Sequence, residues 1–144
     1  MFSRDFPGTV EAAAEAEAWI AGQSGALGLA QETAFAISLC VEELFLNAVK
    51  HGRANTATLS IWTEPDGARL EFVDDGRAFD LGVASIKRLD GPGTGFEVGG
   101  FGLGLVHKFA RRITYRRAEG ANRVVLEFDD GPSESSGPGA VPGS

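Results

Sequence analysis

Glu42-Glu43-Leu44-Phe45-Leu46-Asn47-Ala48-Val49-Lys50-His51-Gly52 closes the longest helical pattern in this 144-residue chain. The pattern runs from near Ala30 to His51, and Gly52 stands where a left-handed helix stop is expected. Glu43 and Asn47 are four residues apart and so project from the same side of the helix. One face therefore offers a carboxylate beside an amide. A carboxylate can accept a proton from an attacking hydroxyl. An amide oxygen is a hard, neutral ligand that suits Mg²⁺, which keeps several waters and takes other oxygens from phosphates. The pairing suits phosphoryl transfer, although a Glu and Asn at this spacing also occur on ordinary solvated helices.

Upstream, Phe2 to Phe6 alternates like a short strand and ends at Pro7-Gly8. Thr9 can then cap an Ala- and Glu-rich helix reaching about Gln23, with Ala12, Ala16, Trp19 and Ile20 on its buried face. Downstream, Thr56 to Thr63 and Arg69 to Asp74 are β-rich and flank the turn sequence Glu64-Pro65-Asp66-Gly67. After a long glycine-rich loop come a helix from about Gly102 to Arg111 and a final hairpin. Its strands are Ile113 to Arg117 and Arg123 to Phe128, around Glu119-Gly120-Ala121-Asn122. Strands joined by short turns imply an α+β (α/β) two-layer sandwich, a mixed but mostly antiparallel sheet with helices on one face. No internal repeat is visible.

Two further stretches carry candidate chemistry. Asp74-Asp75-Gly76-Arg77-Ala78-Phe79-Asp80 leaves the end of a strand. A carboxylate there can accept a hydrogen bond from an exocyclic amine such as that of adenine, and a following Gly lets a flat ring approach the backbone. A plain turn reads equally well from these residues alone. In Gly99-Gly100-Phe101-Gly102-Leu103-Gly104-Leu105-Val106, glycines lead into an apolar helical pattern, an arrangement that aims backbone N–H groups at an anion such as phosphate. It matches neither G-x-x-x-x-G-K-[ST] nor the strand-first dinucleotide fingerprint.

Composition narrows the function classes. With 43% apolar and 23% charged residues and no run near ~18 apolar residues, the chain reads as a soluble, cytoplasmic protein with no membrane span and no secretory signal. The net charge of −7 opposes direct nucleic-acid binding. One cysteine, Cys40, and two histidines, His51 and His107, offer neither a disulfide nor a zinc cluster, and Cys40 reads as a small buried hydrophobe. Residues 1 to 47 set Arg4 against seven acids, whereas Lys108 to Arg123 sets six cations against Glu119, an asymmetry that fits a protein partner or a solvated surface. Trp19 and Trp62 read as core or interface aromatics. The organisation expected is one domain over 1–130 and a disordered tail over 131–144, where Gly, Pro and Ser fill eleven of fourteen positions.

Taken in order, E-x-x-x-N on a helix, D-x-G after a strand and G-x-G-L-x-L opening a helix resemble the Bergerat-fold, histidine-kinase-like ATPases. Glu43-x-x-x-Asn47-Ala48-x-x-His51-Gly52, Asp74-x-Gly76-x-x-Phe79-Asp80 and Gly100-x-Gly102-Leu103-x-Leu105 are most similar to the anti-sigma-factor serine/threonine kinases in that group, over about Phe2 to Phe128. The resemblance implies that Glu43 is the general base and Asn47 the Mg²⁺ ligand. It implies that Asp74, Gly76 and Phe79 hold adenine, that Gly100, Gly102, Leu103 and Gly104 cradle the phosphates of ATP, and that Leu81 to Gly99 form a lid over ATP, which the five glycines of that stretch lead one to expect to be mobile when empty. Its implied partners are a sigma factor and a STAS-domain antagonist phosphorylated on Ser or Thr, with homodimerisation through Phe2 to Phe6 and the first helix. Ala78 replaces a second glycine, Val125 lies near the place of a threonine that assists adenine, and Val98 replaces an arginine facing the γ-phosphate. Lys87, Arg88 or Lys108 are the candidate substitutes for that cation. His51 can approach the nucleotide or simply favour the helix dipole. The alternative from another class is a non-catalytic, ATP-sensing protein-binding module. The catalytic half of a histidine kinase is disfavoured by the lack of a phosphoacceptor dimerisation helix.

Overall fold

The computed structural model describes residues 1–78, 85–88, 96–99 and 104–130, with the backbone alone described in 85–88 and 96–99. The elements are β1 (Phe2–Pro7), α1 (Val10–Ala26), α2 (Gln31–Lys50), β2 (Thr56–Glu64), β3 (Gly67–Asp74), β4 (Ser85–Arg88), β5 (Phe96–Gly99), α3 (Gly104–Phe109), β6 (Arg112–Ala118) and β7 (Ala121–Phe128). The proposed tail over 131–144 and most of the expected lid lie outside the described residues.

Local chemistry accounts for the helix boundaries. Thr9 is extended (φ −123°, ψ 155°), and its Oγ1 accepts from the Ala12 N–H at 3.1 Å, so α1 starts where the cap was expected. Small residues Ala12, Ala13 and Ala16 with Ile20 form its buried face. α2 lacks a side-chain cap at Ala30; instead, the Ala30 N–H donates to Asp130 Oδ1 at 3.0 Å, tying the helix start to the chain beyond β7. At its end the left-handed residue is Arg53 (φ 54°), not Gly52. Gly52 is needed for a different reason: a Cβ there would lie 2.8 Å from the Ala48 carbonyl oxygen.

The main sheet has the order β1-β2-β3-β7-β6, and every described pairing is antiparallel. Pro65-Asp66 link β2 to β3, with Glu64 opposite Gly67. Glu119 and Gly120, both at positive φ, link β6 to β7. Between β3 and β6 the chain forms β4 and β5, which among the described residues pair only with each other. This corrects the reading of that stretch as loop throughout: four-residue strands embedded in glycines leave no alternation to detect.

Alternation places Leu59, Ile61, Leu70, Phe72, Val124 and Leu126 on the inner face, buried against α1 and α2. Phe6, Trp19, Phe45 and Phe72 run through this layer as edge-to-face pairs with centroids 5.9 to 6.1 Å apart, joining β1, α1, α2 and β3. The outer face carries ion pairs such as Arg123–Glu71 and Arg69–Glu127. The helices thus lie on one side, and one open end between α2, β3 and β7 remains for a site. Among the described residues no helix is long and apolar enough to cross a membrane.

Candidate functional site

A cavity of about 450 Å³ opens between the end of α2 and the ends of β3 and β7, a size ordinary for a small-molecule site. Leu44, Asn47, Ala48, His51 and Gly52 form the helical wall, and Phe72, Asp74, Asn122 and Val124 form the sheet wall. Its lining mixes apolar side chains such as Leu44, Phe72 and Val124 with polar and charged ones.

Asp74 ends β3 and is buried. It accepts hydrogen bonds from the Gly76 N–H at 2.8 Å and from Asn122 Nδ2 at 3.1 Å. Both fall on Oδ1, so the second oxygen takes no hydrogen bond from the described residues. Burial pushes the Asp74 carboxyl above its usual range, opposed by the Gly76 N–H and the Asn122 amide. Gly76 is required at this turn because a Cβ would lie 2.7 Å from the Gly52 carbonyl oxygen and 2.8 Å from Asp74 Oδ1. Its bare Cα therefore serves the close approach of the turn to the end of α2 as well as any ring. The neighbouring Asp75 faces away into structure: the Thr56 and Asn55 N–H groups, Thr56 foremost, hold its carboxyl below the usual range. Arg77 completes the seam, its N–H donating to Gly52 O at 2.8 Å and its Nη2 to His51 O at 2.9 Å.

Asn47 is buried on α2, and among the described residues its Oδ1 accepts no hydrogen bond. An orphaned buried acceptor costs about 1–3 kcal/mol, and a hard amide oxygen left open in this way fits a divalent cation. Asn47 lines both the main cavity and a smaller recess of about 230 Å³, which also holds Glu43, Leu46 and Leu105. Glu43 Oε1 accepts from the Leu105 N–H at 3.1 Å and the Val106 N–H at 3.4 Å, so the carboxylate sits at the start of α3. Asp74, Asn47 and Glu43 thus follow one another from the sheet end of the cavity to the first turn of α3. Beside them, burial and then Glu43 push the Cys40 thiol up to about 12, leaving it a protonated core residue.

The glycine-rich stretch is represented by Gly104, the first residue of α3; Phe79, Gly100, Gly102 and Leu103 lie outside the described residues. Val98 falls in β5 and Lys87 and Arg88 in β4, in backbone only. Lys108 places its Nζ 5.7 Å from the Phe109 ring centroid. On β7 the residues facing the cavity are Asn122 and Val124, whereas Val125 has the opposite parity and pairs across the sheet with Glu71 and Thr114. Asn122 went unread in the sequence, where it looks like part of a turn. The signal that finds it is register: Asn122 pairs directly with Asp74.

Comparison with known proteins gives the family and the fold. Residues 6–128 match the histidine kinase-like ATPase domain. The chain is 28% identical over 102 residues to the serine/threonine-protein kinase BtrW of Bordetella bronchiseptica, spanning 68% of this chain and 72% of that protein. Its fold is like that of the crystal structure of the RsbU and RsbW domains of Rv1364c from Mycobacterium tuberculosis, with a TM-score of 0.57 at 13% identity. That match covers 90% of this chain and 32% of the other, so the chain spans about a third of the solved structure.

Proposed function

This chain belongs to the histidine kinase-like ATPase domain family, and from that premise we propose that it is an ATP-dependent protein serine/threonine kinase. In this reading it is a cytoplasmic anti-sigma factor that switches partners, binding a sigma factor and phosphorylating a STAS-domain antagonist. An ATPase domain implies ATP binding; the kinase chemistry rests on the residues. The observation that carries it is the line of Asp74, Asn47 and Glu43, with the Asn47 oxygen buried and orphaned at its midpoint.

Asp74 orients the base by accepting from its exocyclic amine through the oxygen that Gly76 and Asn122 leave open. Asn47 Oδ1 would hold Mg²⁺, which when bound supplies charge neutralisation for the phosphates. Glu43 takes the proton from the attacking Ser or Thr hydroxyl as the oxygen–phosphorus bond forms and ADP departs. The two α3 amides fix its Oε1, leaving Oε2 to receive that proton. Homodimerisation through the exposed edge of β1 and the adjacent α1, where Phe2 and Val10 are exposed, is part of the same proposal.

Incubation with Mg-ATP and the cognate STAS protein should add one phosphate to a hydroxyl of that partner, read by intact mass. Glu43→Ala should slow transfer about 100-fold or more while ATP still binds. Transfer at the wild-type rate by the variant would remove Glu43 from the role of base. The bonds from Glu43 to α3 favour a second reading, a nucleotide-sensing module without catalysis. That reading predicts ATP binding and nucleotide-dependent partner affinity with no phosphate transferred.

A further inference from the structure

Asn122 is 3% exposed and lines the cavity, opposite Asp74 in the β3–β7 register. Its Nδ2 donates to Asp74 Oδ1 at 3.1 Å and to Arg77 O at 2.8 Å. Its Oδ1 accepts from the Tyr115 hydroxyl at 2.8 Å and from Arg117 Nη1 at 3.0 Å. The same Arg117 nitrogen donates to Gly76 O at 2.6 Å, bridging the β6–β7 hairpin to the turn after β3. Both amide hydrogens and both oxygen lone pairs of Asn122 are therefore engaged. Rotating the amide by half a turn would set its oxygen against the Asp74 carboxylate and the Arg77 carbonyl, so one orientation is locked. With every valence used, Asn122 has nothing left to offer a ligand and acts through the groups it holds, of which Asp74 is the one with an open acceptor.

We propose that Asn122, latched by Arg117, is a positioning residue that keeps Asp74 a fixed, ionised acceptor and so makes the cavity select a 6-amino purine over a 6-oxo purine. The inference rests on the reading that the cavity takes the base of ATP. An ionised carboxylate has only acceptor sites and pairs with an amine, whereas a protonated one presents an O–H that a 6-oxo group accepts equally well. Burial drives Asp74 toward the protonated form, with Asp75 adding to it; the Gly76 N–H, Asn122 and Arg117 oppose this. Removing the Asn122 donor tips that balance. The other charged or titratable groups lining the cavity are Lys50 and His51 from the end of α2, with Arg53 and Arg77. None of the four side chains is hydrogen-bonded to Asn122, which meets Arg77 only at its backbone carbonyl, so the informative quantity is the shift between wild type and variant.

The experiment is calorimetric titration with ATP and with inosine triphosphate, whose base carries a 6-oxo group and an N1–H in place of the 6-amino group and bare N1, between pH 5.5 and 8.5, on wild type and Asn122→Ala. The wild type should prefer ATP. In the variant, ATP affinity should fall about tenfold with inosine triphosphate little changed, and the decline of ATP affinity with acid should begin at higher pH. A folded variant that keeps the wild-type preference ratio and pH midpoint, or loses both nucleotides equally, would overturn the proposal and make Asn122 purely structural. Should Asn122→Ala fail to fold, Arg117→Met, a change at an exposed side chain, decides the matter. A fall in the preference ratio supports the latch, and an unchanged ratio overturns it. Failure of the wild type to bind ATP at all would instead defeat the underlying reading of the cavity.

Discussion

Asp74 is a buried carboxylate that costs the fold stability. Its carboxyl is raised by burial, so in the native state it binds a proton more readily than in the unfolded chain. The sign follows: stability is greatest below the unfolded pKa and falls as pH rises through the native one, leaving the charged carboxylate a net penalty at neutral pH. Asp74→Asn keeps an oxygen for Gly76 and Asn122 while removing the charge, so it should melt higher than wild type at pH 7.5 by calorimetry; an equal or lower midpoint would show that burial is fully compensated. Gly76→Ala should do the reverse, since its Cβ meets Gly52 O and Asp74 Oδ1 inside contact distance. Loss of about 1–3 kcal/mol in urea unfolding is expected, and a neutral result would mean the turn has room to move. At this scale the sequence was readable where placement depends on spacing along one element, as with Glu43 and Asn47, which line one recess. It was silent on Asn122 and Val124 as cavity residues, because that depends on which residues of β7 share a face with Asp74, a matter of register across the sheet.

Among the elements, α2 positions most of the site and is itself positioned by packing. Phe45 projects from it between Phe6 and Phe72, with centroids 6.1 and 5.9 Å away, and is fully buried. Phe45→Ala should destabilise by about 3–5 kcal/mol, a large share of the roughly 5–15 kcal/mol of a typical domain. Urea unfolding reads this directly, and a loss below 1 kcal/mol would place the organising contact elsewhere. The helices and hairpins were legible because each has its own punctuation: Thr9 before α1, Pro65-Asp66 between β2 and β3, Glu119-Gly120 between β6 and β7. The β4–β5 hairpin was not, since it lacks both length and flanking contrast. The stop of α2 was half legible: a glycine is required at 52, but for proximity to Ala48, while Arg53 carries the positive φ.

For the whole molecule, one sheet with helices on one side does two tasks at once. It buries a continuous aromatic layer and leaves an open end where α2, β3 and β7 converge on Asp74, Asn47 and, through α3, Glu43. The central claim is that this end receives the base of ATP on Asp74. Titration of Mg-ATP into wild type and into Asp74→Asn by calorimetry tests it most directly. Oδ1 is committed to the Gly76 and Asn122 donors, so the amide nitrogen of the variant must take the open position and set a donor against the exocyclic amine. One site in the wild type and at least a tenfold weaker or undetectable site in the folded variant is the predicted result. Binding to Asp74→Asn within about twofold of wild type, well under the 1.4 kcal/mol that a tenfold change represents, would contradict it.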